Sequence, residues 1–257
     1  MIREQIKIRL PILTVILLSV ALSACSTAPV VEGEPEEAIF PADLVLKDDV
    51  TYESQEVHDP WEGFNRTMYR FNYRVDNWVL LPAVVGYKKI TPDFMQKGVH
   101  NFFTNYTHIT TIINSVLQFS GRKTWQSSSR FVVNTTVGLL GLFDPATAWK
   151  MPRHQEDFGQ TLGKWGVGTG PYLVLPLLGP SSVRDGIGTG VDWYVLTKMI
   201  RDEYFGLSDT QALVWSVLQV IDTRAHVPFL YYQTGSPWEY ALVRTIWTTK
   251  REMDIER

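Results

Sequence analysis

A single cysteine, Cys25, stands in a chain of 257 residues, so no internal disulfide can form. The five histidines are scattered and lack the spacing of a zinc site. One local group, His154-Gln155-Glu156-Asp157, could ligate a metal, but it reads better as a structural surface cluster. No metal or cofactor is therefore expected. Ser181-Ser182 sit in no G-x-S-x-G elbow, and no serine is placed by motif to join His154 and Asp157, so the chain is not read as an enzyme. After the amino-terminal segment no run approaches the roughly 18 apolar residues that a membrane-crossing helix needs. No segment alternates polar and apolar residues over about ten positions, which leaves a transmembrane barrel without support. The net charge is only −3 and the basic residues are dispersed, against a nucleic-acid partner.

The amino terminus is more explicit. Arg3, Lys7 and Arg9 precede an apolar run from Leu10 to Leu22, and small residues follow. This is the composition of a secretory signal covering residues 1–24. Leu22-Ser23-Ala24-Cys25 has the form of a lipobox, which makes Cys25 the expected site of lipidation. Three acyl chains on that residue would exceed the two signals that stable anchoring requires. Ser26 follows, favouring sorting to the outer membrane, with the anchor on its periplasmic side. From Ser26 to His58 the chain carries nine acids and one lysine, punctuated by Pro29, Pro35 and Pro41. Residues 25–58 are accordingly read as a lipidated cysteine and a disordered acidic tether.

Residues 59–257 predict one all-α domain. Asp59-Pro60-Trp61-Glu62 is a helix start, with Asp as N-cap, Pro at the first position and Glu at the third. Trp61, Phe64, Met68, Phe71, Val75 and Trp78 then recur at alternating steps of three and four, which defines an apolar face. Asn65, Arg66, Arg70, Asn72, Arg74 and Asn77 share the other side, and Pro82 is expected to end or kink the helix. A second helix opens at Thr91-Pro92 and runs to Gly121. A third extends from about Lys123 to Phe143, where Asp144-Pro145 breaks it. Arg184 to Met199 is a weaker candidate, interrupted by glycines. Ser208-Asp209-Thr210-Gln211 is a capping box, and Ser236-Pro237-Trp238-Glu239 opens a terminal helix over about 237–252. Nine tryptophans are spread over nearly every segment, as an interfacial belt would require. The pairs Lys88-Lys89 and Arg122-Lys123 could meet phosphate head groups, although a solvated face suits them better.

Residues 157–190 stand apart. Nine of the chain's 18 glycines fall here, and Pro171, Pro176 and Pro180 exclude a regular helix through the apolar run that they interrupt. The glycine echoes at 166–170 and 186–190 lack the strand-to-helix setting of a dinucleotide loop. Gly166, Gly168 and Gly170 are the candidate hinge of a moving loop. Tyr172, Leu173, Val174, Leu175, Leu177 and Leu178 are its candidate membrane- or lipid-contacting residues. Arg184 beside Asp185 reads as a structural ion pair or loop anchor.

Two ordered blocks carry a resemblance. Asp59-Pro60-Trp61-Glu62-Gly63-Phe64-Asn65-Arg66-Thr67-Met68-Tyr69 is the first. The second comprises Phe158-Gly159-Gln160-Thr161-Leu162-Gly163, Gly166 to Tyr172, Leu175-Pro176 and Ser182-Val183-Arg184-Asp185. Over about residues 59–230 the chain resembles the MlaA (VacJ) family of outer-membrane lipoproteins. The resemblance implies a ring-like assembly of amphipathic helices around an amphipathic channel, associated with a trimeric porin. It implies removal of phospholipid from the outer leaflet and delivery to a soluble periplasmic carrier, which maintains lipid asymmetry. A scaffold lipoprotein that moves no lipid is the alternative reading.

Overall fold

The computed structural model describes residues 57–233 and 235–256. Cys25, the signal segment and all but the last two residues of the tether lie outside the described residues. Helix α1, Glu62–Val75, passes through a wider π-helical segment, Asp76–Leu80, into α2, Leu81–Ile90. Then come α3, Asp93–Leu117; α4, Gly121–Thr136; the single turn α5, Pro145–Ala148; and α6, Phe158–Lys164. Strands β1, Tyr172–Leu175, and β2, Gly179–Ser182, form an antiparallel hairpin with Tyr172 opposite Ser182 and Leu175 opposite Gly179. Helix α7, Val183–Tyr194, continues into a second π-helical segment, Val195–Tyr204, followed by α8, Asp209–His226, and α9, Glu239–Glu256. The domain is all-α apart from this one hairpin, in accord with the sequence.

Some boundaries depart from expectation for clear reasons. Pro82 neither ends nor breaks the helix. The π-helical segment immediately before it widens the turn where the proline ring would meet a carbonyl four residues back. The helix from Gly121 stops at Thr136, not Phe143, because Leu139, Leu140 and Gly141 all take positive φ. Asp59 does not cap α1. Its carboxylate instead accepts from Asn65 at 2.7 Å, from Tyr240 and from Arg244 at 3.0 Å, which ties the start of the domain to α9.

The central apolar run is not irregular but a short hairpin. Its open edge is covered by two asparagines of α1. Asn65 donates to the Tyr172 carbonyl at 3.0 Å and accepts from the Val174 amide at 2.8 Å. Two turns further on, Asn72 donates to the Leu175 carbonyl at 2.9 Å and accepts from the Leu177 amide at 2.7 Å. A carboxamide has the donor and acceptor of a peptide unit, so this helix face acts as a substitute strand. Around it, Tyr69, Tyr172, Val174 and Tyr240 form the buried apolar cluster. The Tyr69 hydroxyl donates to Glu239 at 2.8 Å.

The larger surprise is which faces are buried. Among the described residues 22 polar or charged side chains are buried against eight hydrophobic ones, while 40 large hydrophobics are exposed. The exposed set is therefore the surface of the domain and not an incidental scatter. Along α1 and the residues that flank it, Trp61, Phe64, Phe71 and Trp78 face outward, whereas Asn65, Asn72 and Asp76 are buried. On α3 the inward residues include Asn105, His108, Thr110, Thr111, Asn114 and Ser115, with Ile113 and Val116 outside. On α8, Leu213, Val214, Val217 and Val220 are outside and Asp222 is inside. Seven of the nine tryptophans are exposed.

Candidate functional site

A polar interior needs partners for its buried groups, and Arg130 of α4 finds them through both terminal guanidinium nitrogens, while its Nε has none. Arg130, wholly buried, donates to the Met151 carbonyl at 2.6 Å, to Thr147 at 2.9 Å and to both oxygens of Asp144 at 3.2 Å. Asp144 also caps α5 by accepting from the Thr147 amide at 3.0 Å. Such networks hold helices together without an apolar core, provided each lone pair and proton is met.

A separate polar cavity of about 1040 Å³ lies between the helices. Thr107, Thr110 and Thr111 of α3 line one side. Arg122, Lys123 and Gln126 of α4 line the next, and residues 152–157, Gln160 of α6 and Lys250, Arg251 and Asp254 of α9 complete it. Its volume is of the order of a small-molecule site, but its walls are hydroxyls, amides and charges. Lys123 pairs with Glu156 at 2.7 Å, Lys250 with Asp254 at 2.6 Å, and Arg251 with Asp157 at 2.5 Å. Arg122 and Arg153, both exposed, have no acidic partner within salt-bridge distance among the described residues, so the cavity presents two solvated guanidiniums.

Beside this cavity Arg251 bridges two elements. It donates to Asp157, the N-cap of α6, and at 3.0 Å to Asp185 in the first turn of α7. Burial alone would raise the Asp185 carboxyl above its usual range. Hydrogen bonds from Arg251 and Arg184 outweigh that and hold it below. Arg184 Nε lies 3.1 Å from Asp185, so the adjacent pair is the structural anchor its sequence indicated. Glycine allows the elements to close around it. A Cβ on Gly188 would come within 2.3 Å of the Gly159 amide nitrogen, so α6 and α7 touch backbone to backbone.

The sequence candidates separate on the structure. Tyr172 and Val174 are not membrane-contacting; they point into the tyrosine cluster, 2 % and 0 % exposed. Leu173 and Leu175 are half-buried, and Leu177 and Leu178 at the hairpin turn are 62 % and 66 % exposed. A strand alternates its faces, so only part of the run can meet lipid. Gly166 ends α6: its amide bonds to the Gly163 carbonyl and that of Val167 to Leu162, both at 2.9 Å. That pattern is a Schellman cap, which requires the positive φ of 87° seen there. Gly170 also has positive φ, whereas Gly168 does not. His154 and Glu156, weighed as a metal cluster, are instead engaged by Gln126 and Lys123. Lys88 bonds the Ala225 carbonyl at 3.2 Å, while Arg122-Lys123 does line the cavity. Arg153 and Arg251 went unmarked, and Asn65 and Asn72 were read only as part of a polar helix face, because the partners of Arg251 and of the asparagines lie far away along the chain.

A family profile described as MlaA lipoprotein matches residues 57–254. The chain belongs to the MlaA lipoprotein family. A protein of Rickettsia felis is 36% identical over 202 residues, 78% of this MlaA-family chain and 79% of the relative. The intermembrane phospholipid transport system lipoprotein MlaA of Haemophilus influenzae is 34% identical over 178 residues, 68% of this chain and 70% of that one. A solved structure described as the structural basis for maintenance of bacterial outer membrane lipid asymmetry matches with a TM-score of 0.61 and 30% identity. It covers 77% of this chain and 98% of that one. The role named for the MlaA lipoproteins is transport, not catalysis.

Proposed function

We propose that this MlaA lipoprotein sits in the outer membrane with its exposed apolar faces against acyl chains, and that its polar cavity carries phospholipid head groups. On this reading it removes phospholipid from the outer leaflet and passes it to a soluble periplasmic carrier while docked on a trimeric porin. Lipidation at Cys25 holds it on the periplasmic side. The observation that carries the reading is the inversion of the domain: charged and amide side chains are buried while large hydrophobics are exposed. In water that arrangement is unstable; in lipid it is the favoured one, since polar groups must find partners internally. Among the described residues no helix is long and apolar enough to cross a membrane. Seating in the bilayer therefore rests on the amphipathic helices together. Arg122 and Arg153, without acidic partners, suit a phosphate diester. The apolar exterior beside the cavity suits the tails.

Neighbouring positions on α4 allow a test. Gln126 lines the cavity, whereas Trp125 is 74 % exposed. A photocrosslinking amino acid is placed at each position in cells lacking their own relative of this protein. Phospholipid adducts from position 126 are expected, as well as from position 125. Adducts from 125 alone would show a protein that touches lipid only from outside, and would favour a scaffold over a conduit.

A further inference from the structure

Away from the cavity, where α3 crosses α8, three ligand-type side chains converge. Asp222 and His226 stand four residues apart on α8 and so share one face. His100 reaches them from α3. His100 Nδ1 lies 3.0 Å from Asp222 Oδ2, and His226 Nδ1 lies 3.5 Å from Asp222 Oδ1. The two imidazoles are stacked, with centroids 3.7 Å apart and planes inclined by 22°. One ligand atom from each residue falls within 4.8 Å of the others.

The centre of this group is not satisfied by the protein. Asp222 is 1 % exposed, yet its Oδ1 has no hydrogen-bond partner. The nearby Tyr87 hydroxyl is likewise buried without a partner, and burial together with the Asp222 charge raises its pKa. A buried carboxylate oxygen without a donor is costly, because its desolvation goes uncompensated. The cations in the neighbourhood are engaged elsewhere. Lys88 donates to the Ala225 carbonyl, and Arg224 pairs with Asp76 through both oxygens. A cation from solution has a way in, since the side chains of His100 and His226 are about one-third exposed.

We propose that His100, Asp222 and His226 form a binding site for a divalent transition-metal ion of the zinc type, linking α3 to α8. Two ligands each about 2.0 Å from a tetrahedral zinc are themselves about 3.3 Å apart. The 3.0 and 3.5 Å separations bracket that edge but run to the two different oxygens of Asp222, so one ion would draw in both imidazoles only as the part-exposed rings swing out of their stack. Two imidazoles and one carboxylate are a donor set that zinc accepts, and the exposed side leaves its fourth position to water. His226 Nδ1 also lies 2.8 Å from the Asp222 carbonyl, so a metal taken at that nitrogen requires the tautomer with its proton on Nε2, and the contact to the carbonyl is given up.

The test uses the full mature chain in detergent, carrying no polyhistidine tag and stripped with a chelator. Zinc is titrated by calorimetry, and Co²⁺ by the visible absorption of a tetrahedral site. One ion per chain is expected, with a higher Tm in zinc than in chelator. His100→Gln and His226→Gln each are expected to weaken binding by at least about tenfold, and the double variant to abolish both signals. These residues are part-exposed, so the variants should keep the Tm that the wild type shows in chelator. A wild-type chain that takes up neither ion would overturn the site, as would a double variant that binds zinc as tightly as wild type. Both readouts are independent of lipid transport, so failure here would leave the conduit reading untouched.

Discussion

At the scale of single residues, the glycines before the hairpin divide into different kinds. Gly166 holds a left-handed φ because α6 must stop there and return its chain. Gly168 has open space around an added Cβ and no positive φ, so its freedom is not consumed by a turn. Gly168→Ala should therefore raise stability by about 0.4–1 kcal/mol, through a less flexible unfolded chain. Gly166→Ala should lower it by about 1–2 kcal/mol, the cost of a left-handed alanine. Unfolding in detergent, followed by circular dichroism, reads both. We expect Gly168→Ala to clear surface phospholipid at the wild-type rate, which makes this segment a fixed turn. A Gly168→Ala variant that is more stable yet leaves phospholipid on the surface would restore the hinge.

At the scale of elements, the helices were legible and their orientation was not. Caps and periodicity depend on neighbours in sequence, so the capping box at Ser208 and the helix start at Thr91-Pro92 could be read directly. Periodicity states that a helix has two faces but carries no sign. The face of Phe64, Phe71 and Trp78 was read as apolar without a statement of what covers it, and the structure turns it outward. The hairpin was hidden for a related reason: its edge partners, Asn65 and Asn72, lie over 100 residues earlier. Nor does any local signal join Arg251 to Asp157 and Asp185, or His100 to Asp222. Of the cavity, only Arg122-Lys123 and the cluster at 154–157 had been singled out. The asparagine pair makes its own prediction. Asn65→Ala orphans a buried carbonyl and a buried amide of β1 together, at a cost of about 2–4 kcal/mol. Asn72→Ala should cost less, since one of its partners is Leu177 at the exposed turn. Urea midpoints in detergent would show the order; equal or negligible losses would mean that water replaces the carboxamides.

For the whole molecule, the distribution of polarity decides where the domain resides even without its anchor. Cys25 with three acyl chains would suffice to tether any soluble body, and the acidic tether would let that body hang in the periplasm. The exterior described here belongs to a different kind of object. Exposed tryptophans flanking α1, on α4 and α7 and in the loops, with Leu213, Val214, Val217 and Val220 along α8, give lipid a hold besides the acyl chains. At about 25 cal/mol per Å², burying even 400 Å² of that surface would contribute about 10 kcal/mol before the cost of immobilisation. On the proposed reading the anchor sorts and orients, while the domain itself binds the bilayer. The separating experiment exports the domain behind a cleavable signal with Cys25→Ser, so that no acyl chain is attached. Washed membranes are then extracted with carbonate, and the purified protein is floated with phospholipid vesicles. We expect the unacylated domain to stay with the membrane, to float with vesicles, and to aggregate once detergent is removed. A domain that is released by carbonate and remains monodisperse in buffer would show that its apolar faces are closed by protein in solution. The inversion would then have to be explained by partner binding and not by lipid.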